Sequence, residues 1–376
     1  MPNNEAFFTE QTEQSAIKMQ IVTSYFAAWA NVIKRWNTSM GYIDLFCGPG
    51  KYGDDKPSAP LKIIETVLGD LVLTRNMYFL FNDGDQRNID SLRSAIEEID
   101  VRSQLTHKIQ YHHRIIDQDF HRQIMISRNM PVLSFVDPFG YKGLTMELIN
   151  LLINNQGSDC IFFFNYNRIN MALSSNTKFD EHLSGIFGTK RVKELKSKLS
   201  KQKPAQREET ILNALTEALT ENKSNYVLPF KFYSTDMLRT SHYIIFVTKH
   251  PLGCKIMKQV MYNNSKKDMD GIATFSFEDS YNFAYGFEQI SFLSNHMDSL
   301  KESILVSLGK GTAKVGDLCA AADCDFTSHI VGKNVKDALK QLEIEEKIVV
   351  IAGRKQKTRN GQPTMPDAAI VKRNEV

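Results

Sequence analysis

The sequence predicts a mostly parallel α/β sheet, closed at one edge by an antiparallel hairpin and followed by a small helical domain with a wing. Three observations carry this. Apolar runs at 41–47, 77–82, 109–116, 131–136 and 159–165 alternate with helical stretches at 60–68, 86–98 and 143–153, and such alternation builds a parallel sheet with helices on both faces. Two further strands, 228–233 and 242–248, are separated only by a short polar stretch. That is too short for a parallel crossover, so these two are expected as antiparallel neighbours. Beyond residue 297 the pattern changes to helices at 298–308, 315–321 and 333–346, a strand at 347–351, a basic stretch and a last strand at 368–371. Three helices and a two-stranded wing read as a winged helix-turn-helix.

Taken in order, residues 1–40 form a helical lead-in. Ile17, Ile21, Tyr25, Ala28, Trp29, Val32, Ile33 and Trp36 recur at helical spacing, which predicts an amphipathic helix over 16–36. Residues 41–296 hold the sheet, with a helical insertion at about 166–225 that carries the basic run TKRVKELKSKLSKQK, broken by Pro204. Residues 297–376 form the winged-helix domain. The chain has 376 residues, 42% of them hydrophobic, enough for one large domain and a smaller one. The net charge of +3 is too mild to demand a polyanionic partner, so local clustering has to carry that argument. Cys47, Cys160, Cys254, Cys319 and Cys324 fit no zinc spacing. Their odd number in apolar contexts points to reduced thiols in a cytoplasm, and no metal is expected. The opening MPNNEAFFTEQTEQ is polar and acidic, unlike a secretory signal. Apolar runs such as 161–164 and 243–247 fall far short of the ~20 residues of a membrane helix, so a soluble protein with no membrane partner is expected.

The first strand ends in Asp44-Leu45-Phe46-Cys47-Gly48-Pro49-Gly50. Glycine has no Cβ, so such a turn lets backbone approach a nucleotide-like ligand closely. The second strand ends in Asn82-Asp83-Gly84-Asp85. An ionised carboxylate there accepts both hydroxyls of a ribose; Asp83 is the nearer to the strand end, and Asp85 suits the N-cap of the helix that follows. Asp117-Gln118-Asp119-Phe120 follows the third strand, where Asp119 is a candidate acceptor for an adenine amine. The fourth strand runs into Asp137-Pro138-Phe139-Gly140-Tyr141. A carboxylate and a backbone carbonyl accept the two hydrogens of an exocyclic amine, and a flanking aromatic stacks on a flipped base. In this order the motifs resemble the cofactor and target-base motifs of S-adenosylmethionine (SAM)-dependent amino-methyltransferases. That resemblance implies a SAM cofactor held by Asp44, Phe46, Gly48, Gly50, Asp83 and Asp119, and a catalytic set of Asp137, Pro138, Phe139 and Tyr141. The pattern of those enzymes is Asp/Asn-Pro-Pro-aromatic; here Phe139 replaces the second proline, and the stacking ring is either Phe139 or Tyr141. No Pro-Cys pair occurs, which argues against a cysteine nucleophile for cytosine C5 chemistry. His107, His112, His113 and His121 fit no metal pattern and read as loop or surface residues.

The chain as a whole resembles the three-Cys-motif partner family of methyltransferase-like proteins. The matching residues are the lead-in 18–29 with Tyr25 and Trp29, then YIDLFCGPGKY, Ser58-Ala59-Pro60-Leu61, FVDPFGYKG, and Lys249-His250-Pro251-Leu252-Gly253 with Met257 and Met261. The resemblance implies a SAM-methyltransferase fold with an attached winged helix, and a partner protein, radical-SAM-like, that carries the three cysteines. The family name describes a neighbour rather than a reaction, so three readings stand. One is a methyltransferase of an exocyclic base amine, adenine N6 preferred. The second is a catalytically silent fold that binds nucleic acid or protein with its three-Cys partner, in mobile-element or defence biology. The third is a methyltransferase of a protein or small molecule. In the tail, Lys333, Lys336 and Lys340 recur opposite the Val335/Leu339/Leu342 face, and Arg354, Lys355, Lys357 and Arg359 precede an Asn360-Gly361 turn. These are the candidate nucleic-acid contacts, with Glu343, Glu345 and Glu346 blunting the patch.

Overall fold

The computed structural model describes residues 12–99, 104–117, 120, 129–138, 143–174, 179–221, 225–234, 239–268, 271–277, 296–325, 328–356, 358–359 and 362–374. The chain divides into two units, Met1–Val260 with Phe277–Asp279, and Met261–Ser276 with Ser280–Val376. The expected boundary at 296/297 therefore moves to 260/261. Residues 261–276 belong with the C-terminal unit because they bond within it: Asn334 Nδ2 donates to the Gly271 carbonyl at 3.1 Å, and the Phe275 ring lies 4.9 Å from His329.

In the first unit the sheet is built from β1 (Met40–Asp44), β2 (Met77–Asp83), β3 (Gln110–His113), β4 (Val132–Val136), β5 (Asp159–Phe164), β6 (Tyr226–Tyr233) and β7 (Thr240–Thr248), with the two-residue β8 (Ser276–Phe277) beyond β6. The order is β3-β2-β1-β4-β5-β7-β6. β1 pairs in parallel with β2 and β4, β2 with β3, and β4 with β5, while β7 runs antiparallel to both β5 and β6. This is the Rossmann-like fold of SAM-dependent methyltransferases. Every residue of β1 and β4 is buried, as central strands covered on both faces require. The expected first strand, 41–47, stops at Asp44 because the chain turns into the glycine loop, and β3 is shorter than expected at four residues.

Helices α2 (Ala59–Leu68), α3 (Leu71–Asn76), α4 (Gln86–Glu97) and α5 (Met146–Leu152) connect the strands. α3 was not anticipated; Asp70 caps it by accepting from the amides of Val72 and Leu73. The lead-in helix, α1 (Glu13–Ile33), starts where Thr12 Oγ1 accepts the Ser15 amide. It buries Ile21, Val22, Tyr25, Phe26, Trp29, Ala30 and Ile33, each large apolar side chain contributing about 1.5–3 kcal/mol. Trp36 lies past the end of α1 and is half exposed, so it does not extend the apolar face as its spacing suggested. Tyr25 donates to Asp159 Oδ2 at 2.6 Å and Trp29 Nε1 to the Gly157 carbonyl at 2.8 Å, fastening α1 to the start of β5. Gly157, at φ 77°, leaves no room for a Cβ, which would sit 2.9 Å from the Trp36 ring.

The insertion is four helices, α6 (Tyr166–Ser174), α7 (Asp180–Phe187), α8 (Thr189–Leu199) and α9 (Pro204–Thr220), and α10 (Pro251–Asn263) follows β7. Arg207 on α9 staples the insertion together. It donates to Asn170 Oδ1 (2.7 and 3.0 Å) and Ser174 Oγ (2.6 Å) on α6, and to the Leu199 carbonyl at the end of α8 (2.6 Å).

The second unit contains α11 (His296–Leu308), β9 (Thr312–Lys314), α12 (Val315–Cys324), α13 (Gly332–Ile344), β10 (Ile348–Ala352), the short hairpin β11–β12 (Thr358–Arg359, Gln362–Pro363) and β13 (Ile370–Arg373). β10, β13 and β9 form one antiparallel sheet. The sheet thus has three strands where the sequence suggested two. β9 is only three residues long and largely exposed, so it leaves no apolar alternation to read. Val335, Ala338, Leu339 and Leu342 face the core of this unit, as their spacing predicts.

Candidate active site

The C-terminal ends of β1 and β4 open onto a cavity of ≈ 440 Å³. Ligands bind at this edge of open α/β sheets, where adjacent connections leave in opposite directions. Asp44, Phe46, Gly48, Asp137 and Pro138 all line it. The structure therefore brings the first and fourth strand motifs, some ninety residues apart in the expectation, to one space.

The glycine loop is held from below. Gly48 and Gly50 adopt φ of 65° and 86°, the left-handed region that favours glycine. The Asp83 carboxylate accepts the Gly48 amide at 3.0 Å through Oδ2, and the Asp85 amide (2.8 Å) and Asn88 Nδ2 (3.1 Å) through Oδ1. Asp83 is buried and stands behind the cavity wall rather than in it. Its contacts in this structure shape the loop. Gly50 also stands behind the wall, packed on α4, where an added Cβ would lie 3.0 Å from Leu92 Cδ1 and 3.1 Å from Leu92 Cα. Asp85 caps α4 by accepting the Arg87 amide and pairs with the Arg87 side chain at 2.8 Å. These bonds hold its carboxyl below the usual range.

Asp44 is fully buried. Burial pushes its pKa up to about 8, and the nearby Asp137 and Asp83 carboxylates push the same way. The Phe46 amide (3.2 Å) and the Tyr42 hydroxyl (3.3 Å) donate to it and offset part of that shift. At neutral pH it is mostly protonated.

Asp137 is met by Lys18, whose Nζ donates to Oδ2. The two side chains are 14% and 20% exposed. Oδ1 carries no hydrogen bond among the described residues. Lys18 comes from α1, and its Nζ also lies 5.1 Å from the centre of the Phe163 ring, a cation–π distance. Phe163 in turn lies 4.4 Å from His242, which stacks on Phe232 at 4.6 Å. Burial, and then Lys18, lower the His242 pKa to about 3, so the imidazole is neutral. Asn165 and Arg168, at the start of α6, complete this wall. Sequence reading missed Lys18, Phe163, His242 and Arg168 as site residues. The one available signal was Lys18 in the lead-in stretch; the others reach the site through strand order.

Asp119, Phe139 and Tyr141 lie outside the described residues, as do Lys357 and the side chain of Arg359. His107 stacks on Tyr78 at 3.8 Å, and His112 and His113 lie in β3. Among the described residues no cluster of His, Cys, Asp and Glu could hold a metal ion, and no helix is long and apolar enough to cross a membrane. In the tail, three expected phosphate contacts are engaged within the protein. Lys336 pairs with Asp367 at 2.7 Å and Lys340 with Asp337 at 2.9 Å. Arg354 makes a two-pronged pair with Glu343 (2.7 and 2.8 Å), 10% and 14% exposed. Arg354 is thus a core strut rather than part of a basic tip. Lys333 and Lys355 remain exposed.

The residues present suit SAM. Gly48 permits close backbone approach, and the buried hydroxyl of Ser58, in the cavity wall, has no hydrogen-bond partner among the described residues. A polar ligand atom would satisfy it.

No family model matches the chain, and no curated protein matches it. Solved structures do. The bifunctional kinase-methyltransferase WbdD matches at 12% identity over 66% of this chain and 42% of its own, with a TM-score of 0.38. A Streptococcus mutans protein solved in complex with SAH matches at 8% identity over 58% and 94%, with a TM-score of 0.30. An rRNA methylase from Streptococcus thermophilus matches at 7% identity over 60% and 93%, with a TM-score of 0.29. The chain spans less than half the length of WbdD. The strand order β3-β2-β1-β4-β5-β7-β6 is that of a Rossmann-like SAM-methyltransferase sheet, with strand-end carboxylates and a glycine loop around one cavity.

Proposed function

We propose that this protein is a SAM-dependent methyltransferase acting on an exocyclic amine of a nucleic-acid base, adenine N6 preferred. The observation that carries the reading is the single cavity shared by Asp44, Gly48, Asp137 and Pro138. When bound, SAM supplies an activated methyl sulfonium, so alignment does most of the remaining work. Asp44, Phe46, Gly48 and Ser58 form the cofactor side. On the acceptor side Lys18 fixes Oδ2 of Asp137, which leaves Oδ1 to accept a hydrogen of the target amine. Phe163, which lines the same cavity as Pro138, offers a ring for the base. The C-terminal unit reads as a winged helix docking a partner, and the three-Cys-motif protein is the partner proposed.

The test is SAM titration by calorimetry, then labelled-methyl transfer to cellular DNA and RNA with nucleoside analysis. Asp137→Asn should cut turnover about a hundredfold with SAM affinity nearly unchanged. No SAM heat at millimolar ligand refutes the enzyme reading. Methyl on a ring carbon, or only on protein, refutes the assigned acceptor.

A second reading, a silent methyltransferase fold used for binding, is favoured by two contacts. Lys18 already engages Asp137, and Asp83 faces the loop rather than the cavity. Bound SAM with no transfer to any pool, with or without the partner, would select it.

A further inference from the structure

The basic run of the insertion folds into α8 and the turn after it, and its cations fall into two sets. Val192, Leu195 and Leu199 are buried in the core of the insertion. The cations that lean toward this core are paired: Arg191 donates to Glu221 at 2.8 Å and to the Phe187 carbonyl, and Lys196 binds Asp180. Lys190, Lys193, Lys198, Lys201 and Lys203 are exposed, and none forms an ion pair among the described residues. From Lys190 to Lys198 the helix advances about 12 Å, with Glu194 the one acidic side chain on that stretch. The C-terminal unit is the opposite case, since Lys336, Lys340 and Arg354 are all neutralised internally.

We propose that the outer face of α8, with Lys201 and Lys203 beyond it, is a nucleic-acid backbone-binding surface, and that it outweighs the tail in phosphate contact. Five unpaired ammonium groups at short intervals suit a row of phosphates, and lysine acts as a point charge that needs no fixed geometry. No aromatic ring sits among the exposed lysines, and the one amide there, Gln202, is half-buried with its Oε1 turned away from solvent, so the surface contacts backbone without reading bases. A lipid surface is the poorer fit. Membrane-binding helices insert an apolar face, and the apolar face of α8 is already buried. The Arg207 staple ties the end of α8 to α6, and α6 also carries the cavity residue Arg168. The surface and one wall of the cavity thus belong to one helical block.

This inference rests on the reading of the acceptor as a nucleic acid, but its test runs without SAM. Binding of a short fluorescein-labelled DNA duplex and of a single-stranded RNA is followed by anisotropy across a salt series. Lys190→Gln/Lys193→Gln/Lys201→Gln should melt like the wild type. Its affinity at low salt should fall roughly ten- to hundredfold whatever the sequence, and the slope of log K against log salt should shrink by about 3 for duplex. Lys333→Gln/Lys355→Gln in the tail should change the slope less. An unchanged slope in the α8 variant overturns the inference, as does a larger effect in the tail variant. Wild-type binding to phosphatidylserine vesicles or polyglutamate but to neither nucleic acid overturns it too. Failure of methyl transfer alone sinks only the catalytic reading.

Discussion

Replacing Gly50 by alanine tests whether the loop is held by backbone geometry. Gly50 sits at φ 86°, where a non-glycine residue costs about 1–2 kcal/mol. Its Cβ would lie 3.0 Å from Leu92 Cδ1 and 3.1 Å from Leu92 Cα. The side-chain methyl can yield; the backbone of α4 cannot do so cheaply, because Ser91 on the same turn donates to the Pro49 carbonyl at 2.8 Å and locks loop to helix. Overpacking of this kind costs typically about 1–3 kcal/mol. The sum is roughly 2–5 kcal/mol, worth about 4–20 °C in melting temperature for a unit of this size. Urea titration followed by circular dichroism measures it. SAM affinity should fall as well, since Gly48 lies two residues away in the cavity wall. A double-mutant cycle with Leu92→Ala separates the parts: only the contact with Leu92 Cδ1 couples the two sites, while the contact with Leu92 Cα and the backbone strain survive unchanged. Gly50→Ala within 0.5 kcal/mol of wild type, with SAM affinity intact, would refute the argument for both the strain and the close approach.

Two further outcomes follow from buried acids. Tyr25→Phe removes a donor from Asp159, whose pKa burial already pushes up to about 6; urea titration at pH 7 should show a loss of about 1–3 kcal/mol, and a loss near zero would mean that Tyr25 fastens α1 by packing alone. Asp44 and Asp159 both have folded pKa values above the ordinary unfolded carboxyl, so the folded state keeps protons that the unfolded state has released. Their contribution to stability is fully present below about pH 4 and is lost as pH rises, through about 6 for Asp159 and about 8 for Asp44. Between pH 6 and pH 8 Asp44 alone should remove roughly 2–3 kcal/mol, and Asp44→Asn should flatten that part of the profile.

The parallel sheet was legible because burial on both faces leaves continuous apolar runs, as in Tyr42-Ile43 and Val132-Leu133. The hairpin was legible because the 234–241 connection is too short for a crossover. α3 and β9 were not, since a six-residue helix that buries one large apolar side chain, Leu73, and a three-residue strand carry no periodicity. At the site, residues fixed by local chain geometry could be named: Gly48, Asp44, Asp137 and the capping role of Asp85. Partners that arrive from a distance could not. Lys18 and Asp137 are 119 positions apart, and Phe163 and His242 meet only because β7 pairs with β5. Asp83 shows the limit from the other side. Its position at a strand end was readable, but which way the carboxylate turns depends on the Gly48 amide 35 residues earlier. In the tail one of the acids noted as blunting the patch does so by direct pairing, Glu343 with Arg354, while Lys336 and Lys340 are neutralised by Asp367 and Asp337 instead.

The lead-in helix has a consequence for dissecting the protein. Its Tyr25 and Trp29 grip the beginning of β5, while its Lys18 reaches the end of β4, with Thr12, Gln14 and Ser15 beside the cavity. One helix therefore carries two separable duties, anchoring in its C-terminal half and site-building in its N-terminal half. A chain trimmed to begin at Gln20 would retain the Tyr25 and Trp29 anchors and lose Lys18 and the cavity-lining turn, with the Gln14 hydrogen bond to the Tyr233 carbonyl. Such a truncation offers a folded protein with an unfinished site, and so a way to ask what the first turns of α1 contribute without disturbing the sheet.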